Sequence, residues 1–96
     1  MYFGVLRLEF TLHGNRSLKG KRKVANSIKM KLRSKFNVSV AEVGPLDDPG
    51  RLDLAAVSVA GDYNVLEGRM QKALNMVEAA ADEELTDSSV DIFSED

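Results

Sequence analysis

The chain has 96 residues, 44% of them hydrophobic and 29% charged, the balance of one folded domain spanning residues 1–96. It contains no cysteine, which excludes a disulfide framework, a thiolate metal site and a cysteine nucleophile. The net charge is −2; no apolar run approaches the roughly 20 residues that span a bilayer, and the opening MYFGVLRLEF lacks the basic and long apolar regions of a signal peptide, so a soluble cytoplasmic protein with no membrane partner is expected.

Residues 2–12, YFGVLRLEFTL, alternate, with Arg7, Glu9 and Thr11 between apolar positions, and predict a strand with one buried face. His13-Gly14-Asn15-Arg16 reads as a loop. Ser17 is placed to cap a helix over 18–36, whose apolar face is Val24, Ala25, Ile28, Leu32 and Phe36. Asn37 is a candidate left-handed stop. Residues 38–43 predict a second strand, and the following Gly44-Pro45-Leu46-Asp47-Asp48-Pro49-Gly50 an exposed turn-rich loop. Residues 52–60, LDLAAVSVA, are apolar at both parities and predict an internal strand. Asn64-x-x-Glu67 has capping-box spacing and opens a second helix through Val65, Leu66, Met70, Ala73, Leu74, Val77 and Ala81. Residues 85–93 predict an edge strand, and Ser94-Glu95-Asp96 a frayed tail.

The order strand, helix, strand, strand, helix, strand specifies an α+β, ferredoxin-like βαββαβ plait: a four-stranded antiparallel sheet with both helices on one face. The first and third strands are expected at its centre and parallel. The expected core joins Val24, Ile28, Leu32, Leu66, Met70, Leu74 and Val77 to Val5 or Leu6, Leu8, Val40, and Val57 or Val59. The other sheet face is left open.

Charge is divided along the chain. Residues 15–35 hold Arg16, Lys19, Lys21, Arg22, Lys23, Lys29, Lys31, Arg33 and Lys35 and no acid; residues 78–96 hold Glu78, Asp82, Glu83, Glu84, Asp87, Asp91, Glu95 and Asp96 and no base. The stretch HGNRSLKGKRK has the outline of a phosphate loop, but five residues separate Gly14 from Gly20 and Arg22 follows Lys21 where a hydroxyl is required, so nucleotide hydrolysis is not expected. What remains is a basic helix with like charges at Lys19–Lys23, Lys29–Arg33 and Lys31–Lys35, spacings that repel without an anionic partner. Arg16, Lys19, Lys21, Arg22, Lys23, Lys29 and Arg33 are therefore the candidate nucleic-acid-binding residues, with Lys21 and Lys29 at the margin. Phe3 and Phe10 fall at opposite parity, so base stacking on the sheet is poorly supported. His13 is the only histidine and has no serine or aspartate constellation around it; Asp47, Asp48 and Asp53 read as turn residues. No catalytic residue, metal, cofactor or small-molecule substrate is expected, and the protein is expected not to be an enzyme. Small acylphosphatases share this architecture, but the third strand here lacks their asparagine.

Two blocks, Ser17-Leu18-Lys19-Gly20-Lys21-Arg22 and Lys35-Phe36-Asn37-Val38-Ser39-Val40-Ala41-Glu42-Val43, resemble the YlxP-like family of small bacterial proteins of unassigned function, whose first segment reads SLKEKR or SLKGKR. The resemblance runs along the whole chain and implies a ferredoxin-like fold. Genes of that family commonly neighbour those for translation initiation and ribosome maturation, which implies an RNA- or ribosome-linked role. The expected function is thus an RNA- or ribosome-associated accessory protein that holds a polyanion on its first helix and the preceding loop. The alternative is a protein-interaction or homodimerisation module that uses the open sheet face or an edge strand.

Overall fold

The computed structural model describes residues 1–96. The elements follow in the order expected: β1 (Tyr2–Thr11), α1 (Leu18–Lys35), β2 (Ser39–Glu42), β3 (Arg51–Ala60), α2 (Tyr63–Ala80) and β4 (Glu84–Ser94). The sheet order is β2-β3-β1-β4, with both helices packed on one face. β1 and β3 are central, but they pair antiparallel, as do β1 with β4 and β2 with β3. The expectation of parallel central strands is corrected by the connections themselves. Each strand–helix–strand crossover makes its own two strands parallel without making them neighbours. β3 turns back from β2 and enters between β1 and β2, so every adjacent pair runs in opposite directions.

Alternation sets the core. Leu6, Leu8, Phe10 and Leu12 from β1 and its end, with Leu52, Leu54 and Ala56 from β3, point at the helices and are buried. Ala25, Ile28 and Leu32 of α1 and Leu66, Met70, Ala73 and Val77 of α2 close over them. Leu6 therefore takes the place that Val5 or Leu6 was expected to take. Val57 and Val59 do not belong to the core; they lie on the open face. Their parity is fixed by the ladder, where Val57 stands opposite Val5 and Val59 opposite Phe3. Val24, Val40 and Leu74 are half-buried at the margin of the core. The one polar side chain on the inward row of β3, Ser58, is satisfied: its hydroxyl donates to Asn37 O at 2.6 Å and accepts from Arg69 Nη1 at 2.7 Å.

Three boundary expectations change. α2 is capped by Asp62, whose Oδ1 accepts from Asn64 N at 2.7 Å and Val65 N at 3.3 Å, so the cap lies two residues ahead of the proposed Asn64. α1 leaves through an extended Phe36, whose amide still donates to Leu32 O at 3.0 Å; Asn37 is not left-handed. The C-terminal segment is tied rather than frayed: Ser94 lies in β4, and Glu95 N donates to Met1 O while the Met1 ammonium donates to Glu95 O.

Candidate nucleic-acid interface

The loop into α1 is built against the loop between β2 and β3. Leu12 N donates to Gly50 O at 2.9 Å, and Gly14 makes the turn at φ 76°, the only positive φ in the chain. Asn15 then reaches both loops, with Nδ2 donating to Ser17 O at 3.0 Å and Pro49 O at 2.7 Å. Ser17 caps α1 as expected, its hydroxyl accepting from Gly20 N at 3.0 Å. Gly20 is required by close approach: a Cβ there would sit 2.3 Å from Asn15 Oδ1.

Lys21 is not part of an anion-binding surface, and its inclusion among the candidates is corrected. It is 2% exposed. Its ammonium donates to Pro45 O at 2.5 Å and Asp48 O at 2.9 Å and lies 3.0 Å from Glu42 Oε2. Those two directed bonds go to carbonyls, so the carboxylate completes the site as a counter-charge. The helical period carries the reason, because Lys21, Ala25, Ile28 and Leu32 form one buried stripe. Lys21 fastens α1 to the β2–β3 loop.

The other candidates stay together. Arg16, Lys19, Arg22, Lys23 and Arg33 are exposed and Lys29 is half-buried. The structure has four ion pairs, and the only one that involves α1 is Lys21–Glu42. Lys19, Arg22, Lys29 and Arg33 occupy the side of α1 away from α2, with Lys23 at the boundary. The opposite flank, through Val24, Ser27 and Lys31, forms a groove with Ala81, Asp82 and Glu83. The last turn of α1 carries Arg33 and Lys35, where the helix dipole favours cations, but the first turn holds Lys19 and Lys21, where it does not. Lys19 accordingly has neither an ion-pair partner nor a favourable helix end.

The open sheet face differs in both charge and shape. Arg51 is held there by Asp53 and Glu9, and its hydrogen bond to Asp53 raises its pKa above the ordinary value. A shallow cleft of about 270 Å³ lies at that end, lined by Arg7, Glu9, Val43, Asp53, Asp87 and Ser89 among others. Phe3 does face the open side, while Phe10 is buried. Phe93, which sequence reasoning left out, joins it: the two rings stack at 5.1 Å. Parity within the last strand was the available signal for Phe93. His13 is exposed and pairs with Glu84 at 2.5 Å. No group of three or more histidines and acids is placed to hold a metal ion, and no helix is long and apolar enough to cross a membrane.

Fold and surface together define a ferredoxin-like domain whose first helix carries exposed, unpaired cations. The chain belongs to the family described as a protein of unknown function (DUF503), which matches residues 3–90. No curated protein matches it in sequence. Among solved structures it is similar to SnoaB from Streptomyces nogalater, a cofactor-independent oxygenase, at 13% identity and a TM-score of 0.53, covering 100% of this chain and 95% of that one. A putative antibiotic biosynthesis monooxygenase from Nitrosomonas europaea matches at 9% identity and 0.53, over 98% of this chain and 89% of the other. Protein Atu4242 from Agrobacterium tumefaciens matches at 10% and 0.54, over 98% and 92%. The expectation that the chain is not an enzyme is corrected: its architecture is one shared with proteins named as oxygenases, so the fold does not exclude enzymatic activity. At such identities the likeness shows the fold alone.

Proposed function

We propose that the protein binds the phosphate backbone of RNA through Arg16, Lys19, Arg22, Lys23 and Arg33, with Lys29 at the margin, and that it acts in the cytoplasm on ribosomal RNA or an assembling ribosome. The observation that carries this reading is that the α1 cations, all but the buried Lys21, have no acid within ion-pair distance. Like charges at i, i+4 repel, and an anionic partner relieves that repulsion. The Lys21 clamp supports the reading by holding α1 and the Arg16 loop in one fixed relation, so the cations form a preorganised surface. The finer kinship, to the YlxP-like proteins, rests on the two sequence blocks and favours the same ribosome-linked role.

The contacts read backbone and shape rather than sequence, because no aromatic side chain belongs to this face of α1. The deciding experiment compares wild type with Lys19→Glu/Lys23→Glu for binding to RNA and co-sedimentation with ribosomal subunits. The double variant is expected to lose association while keeping its circular dichroism spectrum. Undiminished association would mean that the basic face is only solvated.

A further inference from the structure

The sheet face that no helix covers is divided into an apolar half and a charged half. In register across the central strands, Phe3 stands between Val59 and Phe93, and Val5 between Val57 and Asp91. Val57, Val59 and Phe93 are 45%, 57% and 44% exposed. Large apolar side chains grouped this way on a flat surface mark an interaction site rather than scattered exposure. The next row holds Arg7, between Ala55 and Ser89. Arg7 and Asp91 are both exposed, and neither has an ion-pair partner. They flank the apolar group diagonally, one of each sign.

We infer that this face closes against the same face of a second copy of the chain, with Phe3, Val5, Val57, Val59 and Phe93 at the centre and Arg7 of each protomer meeting Asp91 of the other. A two-fold contact sets one patch against itself, so it needs unlike charges at the rim of that patch, and Arg7 and Asp91 supply them. Size agrees: three strands about 33 Å long and the short β2 of about 13 Å, each about 4.8 Å wide, give a footprint of about 540 Å², which side-chain relief raises toward the roughly 800 Å² per partner of a stable interface. A nucleic acid does not suit this face, because Glu9, Asp53, Asp87 and Asp91 outnumber Arg7 and Arg51 there and the two phenyl rings already stack on each other. Pairing through the β4 edge is disfavoured as well. β4 carries Glu84, Asp87 and Asp91 and no base, so two such edges repel. Face-to-face closure leaves both α1 helices on the outside.

Sedimentation equilibrium of the full chain tests the inference. Wild type is expected to be a dimer at micromolar concentration. Val59→Asp is expected to weaken the dimer by at least about tenfold, as a charge set in an apolar contact should. Arg7→Glu is expected to weaken it less, and Arg7→Glu/Asp91→Arg to restore it. These last changes fall on exposed side chains, so the pair decides the matter even if Val59→Asp disturbs folding. A wild-type monomer throughout, or a dimer indifferent to both Val59→Asp and the charge swap, overturns the inference. So does loss of RNA binding in Val59→Asp with the oligomeric state unchanged, which would give the face to RNA. The α1 proposal is read separately, through Lys19→Glu/Lys23→Glu, which leaves the sheet face untouched.

Discussion

The Lys21 ammonium lies 3.0 Å from Glu42 Oε2, with Lys21 2% exposed and the Glu42 side chain 17% exposed. The pair joins the first turn of α1 to the end of β2, and the hydrogen bonds of the Lys21 ammonium go to the carbonyls of Pro45 and Asp48. A charge this deep is tolerated because it is both paired and hydrogen-bonded. Lys21→Met leaves the Glu42 carboxylate without its counter-charge, and its expected effect is a loss of about 3–5 kcal/mol in urea unfolding. Lys21→Met/Glu42→Gln should lose less than the two single changes added together, by roughly 0.5–3 kcal/mol. A loss from Lys21→Met below about 1 kcal/mol would show that the ammonium is not buried in solution.

Gly20 gives an expectation with an unusual sign. Alanine for glycine within a helix ordinarily stabilises by up to about 1 kcal/mol. Here the new methyl meets Asn15 Oδ1, and Asn15 cannot swing away without releasing Ser17 O and Pro49 O. Gly20→Ala is therefore expected to destabilise by about 1–2 kcal/mol, on the scale of lost hydrogen bonds. In an Asn15→Ala background the same change should become neutral or stabilising. Thermal unfolding of the four proteins of this cycle measures the coupling; simple additivity would refute the close approach.

The sheet offers a parity test. Leu54 points at the helices and Val57 away from them. Leu54→Ala and Ile28→Ala should each lose about 2–5 kcal/mol as buried large-to-small changes. Val57→Thr, followed in dilute protein to suppress self-association, should stay within about 0.5 kcal/mol. Near-equal losses at Leu54 and Val57 would place both faces of β3 in the core.

These residues also show what was legible in the sequence. β1 alternates strictly enough to reveal its faces, and the period of α1 picks out Ala25, Ile28 and Leu32. LDLAAVSVA is apolar at both parities, so its alternation alone does not say which set turns inward. Pairing with β1, together with the greater bulk of Leu52 and Leu54, decides it. Lys21 lies on the buried stripe by spacing alone, yet a lysine there reads as solvated until a distant loop supplies two carbonyls and a carboxylate. The basic face of α1 needed no tertiary information, since runs of one sign are visible in the chain. Its separation from Asp82 and Glu83, which sit on the groove side of the helix, required the fold.

Suppose four backbone phosphates of a single strand are neutralised by the outer side of α1. Counterion release then gives a slope of about −3 for log affinity against log salt, at about −0.7 per phosphate. Lys19→Glu/Lys23→Glu should flatten the slope toward that of the two remaining contacts. Asp82 and Glu83 line a groove with Lys23 and Lys31, so their charge opposes an anion held at Lys23. Asp82→Lys should therefore strengthen binding at low salt and steepen the slope, with the advantage fading as salt screens it. Fluorescence anisotropy with a labelled single-stranded RNA at several salt concentrations reads both effects. Weaker binding from Asp82→Lys would put the strand on another surface, and a slope near zero would mean that phosphates are not what this face holds.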